Sequence, residues 1–396
     1  MKICILAFAH SILGTRVYYR EALTLRRAGH DVMIIGRDPG GQLAREGMSD
    51  GVRFRAYPAR SLSRLRQALS DPVMLFRFLR DGWREDADVY HCHEPQSLLV
   101  GTILARSRGV GLVYDCHEYQ PESYADHFGP ALYPLAKRLF RILERLSIRL
   151  VDCVVTVNEH LGGRFCPDCD HVVVLPNYPV LKMFEDIESP PAELRARYAG
   201  KKVLMYVGGM GEARGVTACL HVMAHLHTLV PEARMLFIGR LSGDYAQQVK
   251  ALINELGLED VVEFLGRVEY HAIPGCLQLG DLGVFLVQPG RERYAWAEPI
   301  KYFEYSACGL PVVMSDLLAP RRLIVEEVDN GIVVDPQDYI GTAKAIAELL
   351  GDEPRRQAMA RRGREAFLSR LNWRAVEGRL ISAYEQLGTE IESRSG

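Results

Sequence analysis

Short hydrophobic runs alternate with longer segments of helical periodicity from the first residue to about Pro336. Most of the runs are nearly continuous in apolar residues, which is typical of parallel strands that are buried on both faces. The pattern predicts strands at residues 2–8, 31–35, 52–57, 89–92, 112–114, 153–157 and 172–175, and again at 203–207, 234–238, 261–265, 282–287, 311–314 and 332–334. Beyond Pro336 it predicts helices alone, at 342–350, 354–370 and 373–387. Alternating strands and helices indicate the α/β class with parallel sheets.

The series of strands restarts in the second half of the chain, after a segment dense in proline between Pro176 and Pro191. Such a segment is typical of a linker between domains. We therefore predict an N-terminal Rossmann-like domain at 1–178 and a C-terminal Rossmann-like domain at 179–372. A last helix, at 373–396, covers one domain or returns to the other. Two open α/β sheets side by side are expected to bind ligands in a cleft at the carboxyl ends of their strands.

The composition is that of a globular protein, with 396 residues, 48% hydrophobic residues and a formal net charge of -2. A charge near zero gives no reason to expect nucleic acid as a partner. The nine cysteines are too few for a disulfide framework in so long a chain. No uncharged stretch approaches the roughly 18 residues of a membrane span, and the opening apolar run is too short for a signal peptide. We expect a cytoplasmic protein.

A glycine-rich loop follows the predicted strand 203–207, with Gly208, Gly209 and Gly211 leading to Arg214 and then a helix. Glycines allow a ligand to approach the backbone, and a helix N-terminus favours an anion. Arg214 adds a cation that can bind a phosphate at two points. An ordinary glycine-rich turn after a strand is the alternative.

A short helix is predicted between Pro299, which suits its first turn, and Gly309, which suits its end. Lys301 and Glu304 are three residues apart and share a face of this helix. A cation near the positive end of a helix dipole is unfavourable unless an anion binds there. The alternative is a salt bridge on a solvated helix surface, which stabilises by only about 0.2–0.5 kcal/mol.

Two predicted strands end in His-Glu pairs, and these pairs carry the residue types of either a metal site or an acid–base site. The first segment holds His91, His93 and Glu94, and the second holds His117 and Glu118. A catalytic zinc site needs three convergent ligands with second-shell support, whereas histidines and carboxylates at strand ends also serve hydrogen-bonding and acid–base roles. We predict no bound metal. Cys166 and Cys169 lack a partner pair and are interpreted as structural, like the Asp86-Ala87-Asp88 segment.

The run from Glu298 to Val313 resembles the signature P-x-K-x-x-E-Y-x-A-x-G-x-P-V-V of one branch of the retaining family-4 glycosyltransferases. The order of the surrounding elements is also similar to the donor-binding half of that family. The resemblance implies the GT-B fold, which consists of two facing Rossmann-like domains with an interdomain cleft. It also implies transfer of a sugar from a nucleotide-diphosphate donor, of UDP or GDP type, without a metal or other cofactor.

The resemblance also implies roles for single residues of the second half. Arg214 and Lys301 would grip the diphosphate, Glu304 would hold the ribose, and the turn at Arg267 and Val268 would face the base. Two positions depart from the family pattern, since Gly209 stands where many members have an arginine and Trp296 where many have a glutamate. Arg240, Arg291 or Arg293 could supply the missing cation, and Glu298 or Glu292 the missing carboxylate.

In the first half, the segments around His93 and His117 resemble motifs of the same family. This implies that His117 reaches the donor sugar and β-phosphate, that His93 and Glu94 line the cleft, and that His10 and Arg16 face the acceptor. Two other functions stay open. One is a nucleotide-sugar epimerase on the same fold, and the other is a non-catalytic protein that binds nucleotide sugars or acts as a scaffold.

Two stretches are basic and amphipathic, at 60–84 and at 137–149. Such stretches can lie on anionic lipid, or they can be core helices with solvated arginines. We predict peripheral contact with an anionic membrane through 60–84, because its aromatic residues are interleaved with arginines, and a core helix at 137–149. The resemblance suggests polysaccharide assembly on a lipid-linked acceptor, at the inner face of the membrane.

Overall fold

The computed structural model describes residues 1–38, 40–41, 43–58 and 64–395, and for 64–71 and 395 it describes the backbone alone. The chain divides into two compact units. The first unit comprises 1–177 and 376–396, and the second comprises 178–375. The boundary lies within the proline-dense segment, and the end of the chain belongs to the first unit.

The first unit contains an eight-stranded sheet. Its strands are β1 Lys2–Ser11, β2 Asp31–Asp38, β3 Glu46–Ser49, β4 Val52–Pro58, β5 Val89–His93, β6 Gly111–Cys116, β7 Cys153–Thr156 and β8 Val172–Val174. The order across the sheet is β3-β4-β2-β1-β5-β6-β7-β8, and all neighbours are parallel except β3 and β4. The α/β class is confirmed. The pattern did not predict β3, an edge strand of mostly exposed residues.

Helices follow most strands of this sheet. They are α1 Leu23–Arg27, α2 Arg64–Glu85, α3 Glu94–Arg108, α4 Gln120–Ala125, α5 Gly129–Ile148 and α6 Glu159–Phe165, with a π-helical segment at Thr15–Ala22 and 3₁₀ turns between. The helix Glu377–Ser395, here called the return helix, also belongs to this unit. Its Tyr384 is fully buried, and Arg394 pairs with Asp152 at 2.8 Å. The last helix therefore returns to the first domain, one of the two predicted alternatives.

The second unit has a six-stranded, fully parallel sheet of order β11-β10-β9-β12-β13-β14. Its strands are β9 Lys202–Val207, β10 Ala233–Ile238, β11 Val262–Gly266, β12 Leu282–Phe285, β13 Val312–Ser315 and β14 Gly331–Val334. Its helices are α7 Ala192–Arg197, α8 Val216–Leu229, α9 Asp244–Leu256, α10 Ile273–Leu277, α11 Glu292–Ala295, α12 Ile300–Ala307, α13 Leu318–Arg321, α14 Tyr339–Gly351 and α15 Glu353–Ser369. Apolar residues of the strands and of α8, α12 and α14 form one core.

The two amphipathic stretches differ from the prediction. Within α5 the described side chains that are buried are Ala136 and Ile148, while a row of leucines is exposed. The prediction of a core helix at 137–149 is therefore wrong. Of the stretch 60–84, residues 60–63 lie outside the described residues, and α2 exposes Phe76 and Trp83 but buries Phe78. Membrane contact through 60–84 stays a prediction. Across the described part of the chain, every helix is too short or too polar to span a bilayer.

Candidate functional site

The glycine-rich loop of the second unit begins where β9 ends and lies against two cations. Gly208 has a positive φ of 104°, and its N–H donates to the carbonyl of Ile238 at 2.8 Å. A Cβ atom built on Gly208 would lie 3.8 Å from Nζ of Lys301, and one built on Gly209 would lie 2.7 Å from Nη1 of Arg214. Adjacent glycines therefore border the two predicted phosphate cations, which the fold brings to one loop.

Packing leaves this loop little freedom to move. A Cβ on Gly215 would lie 1.8 Å from the carbonyl oxygen of Leu286, where any side chain would clash. The hydroxyl of Tyr206 donates to the carbonyls of Gly209 and Arg214, at 3.0 and 3.1 Å. The loop backbone is thus fixed on both sides of the Arg214 side chain, as a preorganised anion site requires. At Gly211 a Cβ would meet open space.

Lys301 is a buried cation whose ammonium has no hydrogen-bond partner among the described residues. The side chain is 5% exposed. Its Nζ lies 3.7 Å from the ring centre of Phe285 and 4.1 Å from that of Tyr206, so the contacts that hold the charge are cation–π contacts. Burial, and then the charge of Arg214, lower the pKa of Lys301 well below its ordinary value. An unsatisfied buried ammonium is costly unless a ligand pairs with it.

The helix that carries Lys301 has the predicted limits. Pro299 precedes α12, and Gly309 follows it with a φ of 67°. Glu304 is 3% exposed, so both polar residues of the shared face are buried. This excludes the alternative of a salt bridge on a solvated helix.

The other predicted donor residues are more exposed than Lys301 or are paired with other side chains. Arg240 and Arg267 are exposed, and Val268 packs partly buried against the core. Glu298 accepts a hydrogen bond from Nη2 of Arg322 at 2.7 Å. Its carboxylate is thus already paired with Arg322, a cation that no sequence motif indicated. The assignment of Glu298 to sugar hydroxyls stays a prediction.

In the first unit, Arg16 is held by a buried carboxylate. Its Nε and Nη2 donate to the two oxygens of Asp115 at 2.5 and 2.9 Å, and Nη1 donates to the carbonyl of Leu175 at 3.0 Å. Nε also lies 3.1 Å from Oε1 of Glu21. The Arg16 guanidinium keeps the pKa of Asp115 well below its ordinary value, although burial alone would raise it. Arg16 therefore organises this unit from inside, where most of its side chain is inaccessible.

His93 completes the ion cluster. Its two ring nitrogens lie 3.2 Å from Oε2 of Glu21 and 3.1 Å from Oδ2 of Asp115. Burial lowers the pKa of His93, but these two carboxylates outweigh burial and raise it to about 10. The ring of His91 stacks on that of His93, and its Nδ1 lies 2.7 Å from the hydroxyl of Tyr384 on the return helix. Burial, together with the charge of His93, lowers the pKa of His91 to about 3.

Glu21, His91, His93 and Asp115 have the donor types of a metal site, with ligand atoms within 4.8 Å of one another. The surrounding charges instead favour an ion cluster that is neutralised by protein cations. Arg16 already contacts both carboxylates, and His93 has a carboxylate near each nitrogen, which favours the doubly protonated ring and agrees with its raised pKa. An imidazolium does not bind a metal. The cluster is therefore self-neutralised by its own cations.

His10 and His117 meet at the edge of this cluster. Their Nε2 atoms are 2.7 Å apart, and Nε2 of His10 also lies 2.8 Å from Oε1 of Glu94. Glu94 has a φ of 66°, unusual for a residue with a side chain, and accepts a hydrogen bond from Ser97 at 3.1 Å. Asp115, His117 and His10 thus lie in a row from the buried cluster to the surface, because the side chain of His10 is 40% exposed. Burial lowers the pKa of His117.

The structure thus brings His10, Arg16, His93, Glu94 and His117 together in the first unit, and Gly208, Gly209, Arg214 and Lys301 in the second. Three residues of the first cluster were not selected from the sequence. Asp115 stands two residues before His117 and Glu21 five residues after Arg16, and this closeness to predicted residues was the available signal. Tyr384 had none, because only the fold brings the return helix to β5.

Comparison with known proteins agrees with this architecture. Residues 14–177 match the family described as glycosyl transferase 4-like domain, and residues 193–366 match the family described as glycosyl transferases group 1. The glycogen synthase of Mycobacterium tuberculosis is 23% identical over 94% of this chain and 90% of its own length.

Solved structures show the same fold. The sucrose-phosphate synthase of Thermosynechococcus elongatus superposes with a TM-score of 0.78 at 20% identity, and the match covers 98% of this chain and 99% of that one. HepE of Anabaena, in complex with UDP and glucose, gives a TM-score of 0.74 at 17% identity, with 98% and 100% covered. The predicted GT-B fold is confirmed.

Proposed function

Since this chain is a GT4-type glycosyltransferase with the GT-B fold, we propose that it transfers a sugar, with retention of configuration, from a nucleotide-diphosphate donor to an acceptor hydroxyl. The donor is a UDP- or GDP-sugar. The acceptor is a lipid-linked sugar in the assembly of a cell-surface polysaccharide or glycolipid, at the cytoplasmic face of the membrane.

The single observation that carries the donor side is the unpartnered, buried ammonium of Lys301 beside the Gly208–Gly209 backbone, with Arg214 at the same loop. A buried cation without an acceptor is expected to have one when its ligand is bound. A diphosphate offers several anionic oxygens and fits two neighbouring cations. Glu304, on the same helix, would accept hydrogen bonds from the ribose hydroxyls.

The chemical task is the departure of a charged diphosphate from the sugar carbon. As the bond from that carbon to the diphosphate oxygen breaks, negative charge grows on the phosphate. Lys301 would stabilise that charge without reorganising, because its ammonium is already packed between two rings. Arg214 has an exposed side chain on a loop whose backbone is fixed, and it would add a second charge. The acceptor oxygen forms the new bond on the same face, and its proton passes to the departing phosphate. No dedicated base is needed in this scheme, and His117 would contact the donor sugar and β-phosphate.

We also propose that the reaction needs no metal ion, and the same two cations support this. A divalent ion in other transferases neutralises the diphosphate. Here two side-chain cations stand at one loop, and in the first unit the carboxylate and histidine cluster is neutralised internally. We expect chelators to leave the activity unchanged.

The proposal is tested by steady-state kinetics and donor binding of Lys301→Met and Arg214→Met, with the exposed Lys250→Met as matched control. If the cations act on the departing phosphate, kcat falls by about 100-fold or more, while donor affinity falls less. Equal losses in both would show that the residues only bind the donor.

Two further outcomes distinguish the alternative functions. Donor consumption that needs no acceptor would indicate an epimerase. Nucleotide-sugar binding with no transfer and no slow hydrolysis would indicate a non-catalytic protein. A thermal-shift screen against uridine, guanosine and adenosine diphosphate sugars identifies the donor, because a ligand that binds only the native state raises its stability.

A further inference from the structure

Helix α5 exposes a continuous row of apolar side chains, here called the leucine face. Each of its members is between 47% and 67% exposed. They are Leu132, Leu135, Leu139, Ile142, Leu143 and Leu146. Spacings of three and four residues place them along one stripe of the helix. Ala136 and Ile148 are buried, and Phe140 packs on Tyr124 and Phe128, so the contact with the rest of the unit lies beside and opposite this stripe. An exposed apolar patch of this extent is typical of an interaction site.

The charges of α5 are one-sided. Arg138 and Arg141 are exposed beside the leucine face. Two further arginines, Arg145 and Arg149, are more than half exposed, although both pair with Asp168. The one acidic residue of the helix, Glu144, is turned inward and accepts from Arg164 at 2.7 Å. The outer surface of α5 therefore combines an apolar stripe with cations and presents no carboxylate.

This charge pattern decides between two kinds of occupant. A second copy of the chain could pair its leucine face with this one in the manner of a coiled coil. The flanking positions would then bring Arg138 and Arg145 against apolar residues or against each other, with no carboxylate to pair with them. An anionic lipid surface satisfies both features at once, because the leucines enter the interface while the arginines meet phosphate groups.

We propose that α5 is a membrane-docking helix that lies in the interface of an anionic phospholipid bilayer, with the leucine face inserted. The helix is tied to α4, because Lys137 pairs with Glu122 at 2.8 Å. Along the chain, α4 and the short 3₁₀ turn Asp126–Phe128 join α5 to the segment that carries His117. A bilayer bound at α5 is thus connected to the histidine edge of the first unit by one short helix and that turn.

The test is sedimentation of the full chain with vesicles of mixed phosphatidylglycerol and phosphatidylcholine, compared with phosphatidylcholine alone. We expect binding to the anionic vesicles that weakens as salt is added. The combined variant Leu135→Ser, Leu139→Ser and Leu146→Ser should lower the partition coefficient at least tenfold. Its matched control replaces three equally exposed residues of the second unit, Leu229→Ser, Leu318→Ser and Ile340→Ser, and should bind like the wild type.

A second pair of variants separates charge from apolar contact. Arg138→Gln with Arg141→Gln should weaken binding at low salt by about fivefold for each cation removed. Lys250→Gln with Arg361→Gln, which removes two exposed cations elsewhere, should leave binding unchanged. Retained secondary structure and thermal midpoint in all variants exclude misfolding as the cause of a loss.

Three results would overturn the proposal. The wild type could fail to bind anionic vesicles, or the leucine variant could bind as well as the wild type, which would place the contact elsewhere, 60–84 included. Alternatively, the wild type could be a dimer in analytical ultracentrifugation that the leucine variant dissociates, without vesicle binding, which would assign the face to a second copy. The assay contains no nucleotide sugar, so its outcome is independent of the proposed reaction.

Discussion

Arg16 donates to both carboxylate oxygens of Asp115, and the same guanidinium lies 3.1 Å from Glu21. Arg16 is the residue through which the π-helical segment after β1 is joined to β6. Both carboxylates are fully buried. Their charge is therefore tolerable because Arg16, together with His93, compensates it.

Replacing Arg16 by Met leaves two buried carboxylates without their main counter-charge. We expect the free energy of unfolding to fall by about 3–5 kcal/mol, measured by urea denaturation. Arg27→Met is the control, because that side chain is 59% exposed and its pair with Glu377 is partly solvated; the loss there should be at most about 1 kcal/mol. Similar losses in both variants would contradict the role given to Arg16.

Replacing Lys301 by Met should stabilise the ligand-free protein while it impairs transfer. The pKa of Lys301 is lowered, so the unfolded chain binds this proton more tightly and the charged side chain costs folding free energy. We expect a gain of about 1–3 kcal/mol at neutral pH, which shrinks as the pH rises and vanishes above the ordinary lysine pKa of 10.5. Denaturation curves at several pH values measure it, with Lys250→Met as control. An unchanged or lower stability would show that the two rings already satisfy the ammonium.

The raised pKa of His93 makes stability depend on pH in a defined window. Because the folded protein holds the proton more tightly, the stabilisation is complete below pH 6.5 and is lost as the pH rises to about 10. Across that window the wild type should lose up to about 1.4 kcal/mol per pH unit relative to His93→Gln. The exposed His225→Gln serves as control and should follow the wild type. A constant difference between wild type and His93→Gln would mean that His93 is neutral.

Replacing Gly209 by Ala should disturb ligand binding more than folding. The new methyl group would lie 2.7 Å from the end of the Arg214 side chain, which can move away at little cost in stability. We expect donor affinity to fall by about tenfold, the value of one displaced charged hydrogen bond, by calorimetry. Gly163→Ala, whose Cβ would meet open space in the first unit, should bind donor normally. Normal binding by Gly209→Ala would show that Arg214 does not need its observed position.

The sequence pattern predicted the strands whose burial is continuous, since two-sided burial leaves a direct trace in the residues. It did not predict β3, which is an exposed edge held by its pairing with β4. It also assigned α5 to the core. The hydrophobic periodicity of a helix does not show whether its apolar face is buried by protein or exposed. Lys301 and Arg214 were expected beside one diphosphate because of the family resemblance, and the structure brings both to the glycine-rich loop.

The contacts inside the first unit were less accessible to such reasoning. Arg16 and Glu94 were predicted to face a ligand, whereas the structure shows them paired with Asp115 and with His10 and Ser97. Pairing of this kind depends on register between distant strands, such as His93 beside Asp115 in β5 and β6. Hydrophobic periodicity carries no information about it.

The hydrogen bond between Tyr384 and His91 also bears on how the protein is made. A ribosome synthesises the strands of the first unit early, but the helix that closes its buried histidines emerges only after the whole second unit. Until then the nascent first unit lacks the helix that covers these histidines, so it completes its fold only after the second unit has been synthesised.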